Sequence, residues 1–267
     1  MSGETRDFTT LTESTGARLS VEGADMMYSR YVLAAEMAEG LRVLEIAAGS
    51  GQGLGLLQRS AQWVVAGDID SALLGKGRLH YDSRVPMVCF NGGYLPFADG
   101  SFDLILLFEA LYYFPDQNTT FNEMARVLND SGALFIVSAN PERADFISSP
   151  RSVHYHAAAE LRAALVERGF RVQAYAAYSL REGGIATRVL GWIRRVAERF
   201  GLVPRTLGAR ALLKRLFIGP LVEVPAELVE GFGRVTDLFP IPTASAVRDH
   251  KVIYIKAERS GGRASAH

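Results

Sequence analysis

The sequence predicts an α/β fold: a doubly wound, mostly parallel sheet covered by helices on both faces. Three observations carry that expectation. Short β-branched runs alternate with helix-like stretches over most of residues 42–176. The first run ends in a glycine-rich turn that opens a helix, and the second ends in an acid, Asp68. A sheet of this kind takes ligands at the carboxyl ends of its strands. The chain has 267 residues, 48% hydrophobic and 22% charged, enough for a full core without disulfides or metals.

Composition also excludes several classes. Lys and Arg total 29 and Asp and Glu total 29, so the net charge is zero. That balance argues against a nucleic-acid partner held through phosphates. Cys89 is the only cysteine, which excludes a disulfide framework and a multi-cysteine zinc site. The polar, acidic start has no signal-peptide pattern, and no apolar run approaches the roughly 20 residues that span a bilayer. A cytoplasmic protein is the expectation, with no transmembrane segment.

Taken in order, residues 1–40 read as a leader and cap helix, the first 20 mobile and 22–39 helical through Met26, Met27, Tyr31, Val32, Ala35 and Met37. The core, 41–180, has candidate strands at 42–47, 63–68, 85–90, 102–108, 133–139 and 171–176, with helices at 53–59, 71–80, 119–128 and 157–168. Residues 250–258 supply a seventh strand, whose alternation over 251–256 suggests an antiparallel edge. Residues 181–249 break the rhythm and read as a helical insertion; 259–267 read as a flexible tail. The Arg-rich first half of the insertion reads either as helices packed on the core with a solvated Arg face, or as a basic surface for an anionic acceptor, a partner or a membrane.

The sharpest local signal is Val43-Leu44-Glu45-Ile46-Ala47-Ala48-Gly49-Ser50-Gly51-Gln52-Gly53. Glycines there let a ligand approach the backbone and meet exposed N–H groups at a helix start. The dinucleotide pattern G-x-G-x-x-G fails, because Leu54 and Leu56 stand at its last position counted from Gly49 and Gly51. No G-K-[ST] follows either. Asp68 stands where it can accept from both hydroxyls of a ribose, although it could equally cap the helix ahead of Ser71, as could Asp70. Glu45, inside the first strand, can meet an ammonium group or brace the loop. Together these favour a ligand with a ribose and an amino acid but no pyrophosphate, which describes S-adenosylmethionine.

From about residue 42 to 170 the sequence resembles the class I S-adenosylmethionine-dependent methyltransferases. VLEIAAGSGQG is similar to their first motif, with Ala47 where glycine is usual; VVAGDID is similar to the second. FNGGYLPFADGSFDLILL resembles the third region, with Asn91 where an acid often meets the adenine amine. ARVLNDSGALFIVS resembles the helix-turn-strand near the end of the core, with 129–132 as the turn. The resemblance implies a Rossmann-like methyltransferase fold, S-adenosyl-L-methionine as cofactor and S-adenosyl-L-homocysteine as product. It implies a cofactor site of Glu45, Ala47, Gly49, Ser50, Gly51, Asp68, Ile69, Asn91, Gly92 and Phe108. Ser14-Thr15-Gly16-Ala17-Arg18 and Tyr28-Ser29-Arg30-Tyr31 are similar to the leader of a bacterial subgroup that modifies sugars, glycans or secondary metabolites. In that subgroup the leader helix covers the cofactor, so Tyr28 and Arg30 become candidates for its carboxylate; a merely solvated helix is the competing reading.

Methyl transfer needs alignment, exclusion of water and, for a hydroxyl acceptor, removal of a proton. Glu109 follows the fourth candidate strand and can take that role, as can His154 or His156. Loop packing is the competing account of both histidines, and their spacing alone makes no metal site. Acceptor-side candidates are Glu109, Tyr112, Tyr113, Asn140, Phe232 and Phe239. No Asn/Asp-Pro-Pro-Tyr motif occurs, and Cys89 is expected to be buried and inert. The expectation is methylation of a hydroxyl on a natural product, sugar or glycan without a metal. The alternatives are an N-methyltransferase on an amino sugar or amine, and a non-catalytic cofactor-binding subunit. A homodimer through the insertion is a further possibility.

Overall fold

The structure is a computed structural model that describes residues 13–149, 151–180, 220–243 and 245–260. In chain order the elements are β1 (Arg18–Ser20), α1 (Val21–Met37), β2 (Arg42–Ile46), α2 (Leu54–Ser60), β3 (Trp63–Asp68), α3 (Ser71–Tyr81), β4 (Met87–Cys89), β5 (Phe102–Phe108), α4 (Gln117–Val127), β6 (Leu128–Ala139), α5 (Ala158–Val166), β7 (Phe170–Ser179), β8 (Leu221–Glu223), β9 (Phe239–Pro240) and β10 (His250–Arg259). Eight strands form one sheet in the order β4-β3-β2-β5-β6-β10-β7-β9. The pairs from β4 to β6 are all parallel. The chain winds outward from β2 to β4 on one side, then from β5 on the other. The winding therefore reverses between β2 and β5, where an open sheet leaves a crevice at its strand ends.

The central strands are apolar along their length because both faces are covered. Along β5, Ile105 and Leu107 join Phe121 and Met124 of α4 and Leu161 and Leu165 of α5 in one core. Leu104 and Leu106 point the other way, into a core with Met27 and Tyr31 of α1, Leu57 of α2 and Leu74 of α3. Helix starts follow local chemistry. Asp70 caps α3 by accepting from the N–H groups of Ala72 and Leu73, and Asp116 caps α4 through Thr119 N–H. The cap role considered for Asp68 thus falls to Asp70.

Several expectations are corrected. The leader is structured from residue 13 onward: β1 pairs antiparallel with β8, Leu19 opposite Val222. β10 is antiparallel as expected, but it lies between β6 and β7, and two-residue β9 takes the edge. Residues 220–243 and 245–249 contain short strands and turns and no helix. Pro220, Pro225, Pro240 and Pro242 explain this, since each removes a backbone donor that a helix interior needs. The Arg-rich stretch at 181–219, with any dimer surface it carries, falls outside the described residues. Residues 129–132 lie within the span of β6 but are looped out, since Leu128 pairs with Phe102 and Ala133 with Leu104. Cys89 is exposed, because β4 is a short edge strand paired on one side only. No helix among the described residues is long and apolar enough to cross a membrane.

Candidate active site

A cavity of about 900 Å³ opens at the β2/β5 reversal, large enough for a drug-sized ligand. Its first wall is the loop after β2. Ala47 has φ 58° and Gly49 φ 59°. The position where the resembled family has glycine therefore keeps a left-handed backbone despite its methyl group, at a cost of about 1 kcal/mol. A Cβ at Gly49 would meet nothing within 4 Å, so the cradle beside it is open. Gly53 is needed for another reason: a Cβ there would sit 2.0 Å from the Tyr31 ring, which packs on the loop from α1.

Two carboxyl groups face this cavity, Glu45 fully buried and Glu109 half-buried. The Tyr31 hydroxyl donates to Glu45 Oε1 at 2.6 Å, while Glu45 Oε2 is buried without a partner. Burial pushes the Glu45 carboxyl up to about 7, against the pull of the Tyr31 hydroxyl and Arg30. Glu109, directly after β5, is itself left-handed at φ 48°, and its N–H donates to Val137 O across the sheet. The Tyr112 hydroxyl donates to Glu109 Oε2 at 3.0 Å. Burial pushes this carboxyl up to about 7 as well, with Arg30 pulling it down. Arg30 itself is buried, pairs with Glu13, and keeps a buried Nε without a partner.

The third wall comes from β3. Asp68 accepts from Gly49 N–H and Asp70 N–H, each at 2.8 Å, one on each oxygen. A carboxylate has about four lone-pair sites, so acceptor capacity remains for a ligand. Burial raises the Asp68 carboxyl, and backbone donors at Asp70, Gly49 and Ile69 oppose the shift. Ile69 is 56% exposed although aliphatic, and it lines the cavity with Phe90. Asn91 Oδ1 accepts from Gly93 N–H, and Phe114 lies against Gly92.

The cavity thus brings together Arg30, Glu45, Ala47, Gly49, Ser50, Asp68, Ile69, Asn91, Gly92, Phe108, Glu109, Tyr112 and Tyr113. Other named residues stand elsewhere. The Tyr28 hydroxyl accepts from Gly231 N–H, away from the lining. Gly51, at φ 78°, lies in the turn behind the wall. Asn140 is a structural clamp: its amide donates to Val247 O and His250 O, and its oxygen accepts from Glu142 N–H. Phe232 packs with the α1 side of the core, and Phe239 sits exposed on the sheet edge. His154 and His156 lie outside the lining, ahead of α5.

Sequence reasoning missed Glu13, Tyr31, Gln52, Arg143 and Lys251 on the walls. Residues 13–15 cover the glycine loop: Thr15 N–H donates to Ser50 Oγ at 3.2 Å, and Gln52 Nε2 donates to Glu13 O at 2.8 Å. In the sequence Tyr31 belongs to an apolar helix face and to the leader segment Tyr28-Ser29-Arg30-Tyr31, with no signal that sets it apart as a wall residue.

These features fit an amino acid joined to a nucleoside. The partnerless Glu45 Oε2 suits an ammonium group, Asp68 keeps lone pairs for ribose hydroxyls, and Ile69 with Phe90 offers an apolar wall to a base. Comparison with known proteins points the same way. Residues 44–136 match a family described as a methyltransferase domain. Over 101 residues the chain is 39% identical to a demethylmenaquinone methyltransferase of Corynebacterium urealyticum, covering 38% of this chain and 43% of that protein. Over 132 residues it is 32% identical to the ubiquinone/menaquinone biosynthesis C-methyltransferase UbiE of Stenotrophomonas maltophilia, covering 46% and 52%. The matched stretch spans about half the length of these curated relatives. The fold is similar to that of the YcgJ protein from Bacillus subtilis, with a TM-score of 0.57 and 18% identity over 88% of this chain and 100% of that one.

Proposed function

We propose that the chain, which matches a methyltransferase-domain family over residues 44–136, is an S-adenosylmethionine-dependent methyltransferase of a hydroxylated aromatic small molecule of the quinol class, with Glu109 accepting the acceptor's proton. The observation that supports this most is Glu109 itself. A carboxyl near neutrality is matched to general-base work near neutral pH, and this one is half-buried in the cavity wall under a Tyr112 hydrogen bond. Tyr112, Tyr113 and Phe114 beside it give an aromatic wall, which favours a flat ring over a sugar. The relatives in menaquinone and ubiquinone biosynthesis lend the same direction.

Bound S-adenosylmethionine supplies a methyl group on a cationic sulfur, already activated for displacement. Glu45 would hold its ammonium, Asp68 its ribose, and the amide of Asn91 the edge of its base. Glu109 takes one proton from the acceptor, whether the methyl ends on a ring carbon or on an oxygen, since either product forms with loss of one proton. Arg30 keeps that carboxylate available as a base by favouring its charged form, and the apolar rings around it exclude water.

Calorimetric titration with S-adenosylhomocysteine, on wild type and Asp68→Ala, tests the cofactor site. At least tenfold weaker binding in the variant, about 1.4 kcal/mol, is expected. A reduced naphthoquinone, with product position read by NMR, tests the acceptor. Turnover of a sugar or a simple amine in place of the quinol would overturn the acceptor class.

A further inference from the structure

Outside the cavity, three side chains converge where the chain enters α5. His154 Nε2 lies 3.6 Å from Glu160 Oε2, and His156 Nδ1 lies 3.7 Å from the same oxygen. The two imidazole rings stand 4.5 Å apart at 90°. The three ligand atoms all fall within 4.8 Å of one another. These separations are too long for hydrogen bonds. They are close to the spacing of neighbouring ligands around a tetrahedral ion, roughly 3.4 Å for bonds of about 2.1 Å.

A second observation is independent of that spacing. Both ring nitrogens of His156 are buried, and neither has a hydrogen-bond partner. Buried polar atoms normally find one. Glu160 is oriented from behind, since its Oε2 accepts from Ala157 N–H at 2.8 Å. His154 and Glu160 are each about half exposed, which leaves an approach from solvent.

We propose that His154, His156 and Glu160 form a binding site for one divalent transition-metal ion of the zinc class, with water completing the coordination. Two imidazoles and a carboxylate suit zinc, cobalt or nickel rather than magnesium or calcium, which prefer all-oxygen shells. The ion fastens the loop before α5 to the first turn of that helix. Tyr155, between the two histidines, stacks on Tyr112 with ring centroids 4.1 Å apart, and Tyr112 donates to Glu109. Gln117 of α4 also donates to His154 O, so the loop is anchored on both sides. The site therefore sits behind the acceptor wall and takes no part in the chemistry assigned above.

The test uses tag-free protein stripped with a chelator and titrated with Co²⁺ and Zn²⁺, followed by cobalt absorption and equilibrium dialysis. One equivalent is expected to bind, with millimolar Mg²⁺ failing to compete. His156→Ala and Glu160→Gln should each weaken binding at least tenfold. Gln keeps the acceptor that the helix start uses, so that variant stays folded. The double variant His80→Ala/His250→Ala, which removes the two other described histidines beside acids, should bind as wild type does. Absence of saturable binding, or binding untouched by His156→Ala and Glu160→Gln, would overturn the assignment.

Discussion

The loops after β2 and β5 are near copies in chemistry and opposites in mechanics. Each strand end presents a carboxyl near neutrality to Arg30, and each carboxyl takes a tyrosine hydroxyl, Tyr31 on Glu45 and Tyr112 on Glu109. Each loop also holds one non-glycine residue in the left-handed region, Ala47 or Glu109. The difference is which residue carries the strain. In the first loop it falls on a methyl group, and the carboxylate sits inside the regular strand. In the second it falls on the acid, so strand geometry fixes Glu45 while the turn aims Glu109 into the cavity. A fixed carboxylate with an idle oxygen suits holding a ligand; one carried on a strained turn suits meeting a reacting group.

The largest effect should separate the two acids. Glu109→Gln is expected to lower kcat about 100-fold with S-adenosylhomocysteine affinity within threefold, as removal of a general base does. Glu45→Gln should do the reverse, weakening that affinity at least tenfold with a much smaller change in kcat. Equal losses in both parameters for both variants would erase the distinction.

Stability against pH gives a smaller signal with a definite sign. Each of these carboxyls binds its proton more tightly folded than unfolded, between the ordinary 4.5 and about 7. The folded state therefore takes up more protons in that window, and stability contributed by these groups falls as pH rises through it. Asp103, Glu123 and Glu227 shift the opposite way, so their contribution is present above the ordinary carboxylate range and is lost as pH falls through and below it. Urea unfolding at pH 5.0 and 7.5 should show a shallower decline in Glu45→Gln than in wild type; a steeper decline would refute the burial argument. Smallest of all, Ala47→Gly should relieve the left-handed methyl and raise the melting temperature by about 2 °C. A scanning calorimeter reads this directly, and a drop would mean that the methyl packs better than it strains.

Much of this was legible in the chain because it is local. The strand-turn-helix at 42–60, the acid closing β3 and the winding of the sheet are written in runs of fewer than a dozen residues. The misses come from pairings that leave no local trace. β1 and β8 lie some two hundred residues apart, so neither carries a periodicity that announces the other. On α1, residues 27 to 31 are all buried, and a helix covered on so many sides gives no apolar stripe to set its phase. Tyr28 and Tyr31 were therefore interchangeable on paper, yet only Tyr31 reaches the cavity. Asn140 misled for a different reason: an asparagine at a strand end looks the same whether it meets a ligand or ties down three backbone groups.

The cover over the glycine loop has a thermodynamic corollary. Glu13 and Ser14 are part of the cavity wall, but a three-residue ladder, Arg18 to Ser20 against Leu221 to Glu223, holds that stretch in place. An opening of the ladder that carried Glu13 and Ser14 with it would join the inner and outer sides of the wall in one equilibrium. In that equilibrium reciprocity holds: the factor by which the clasp favours occupancy is the factor by which occupancy favours the clasp. Two segments some two hundred residues apart would then answer to the same guest.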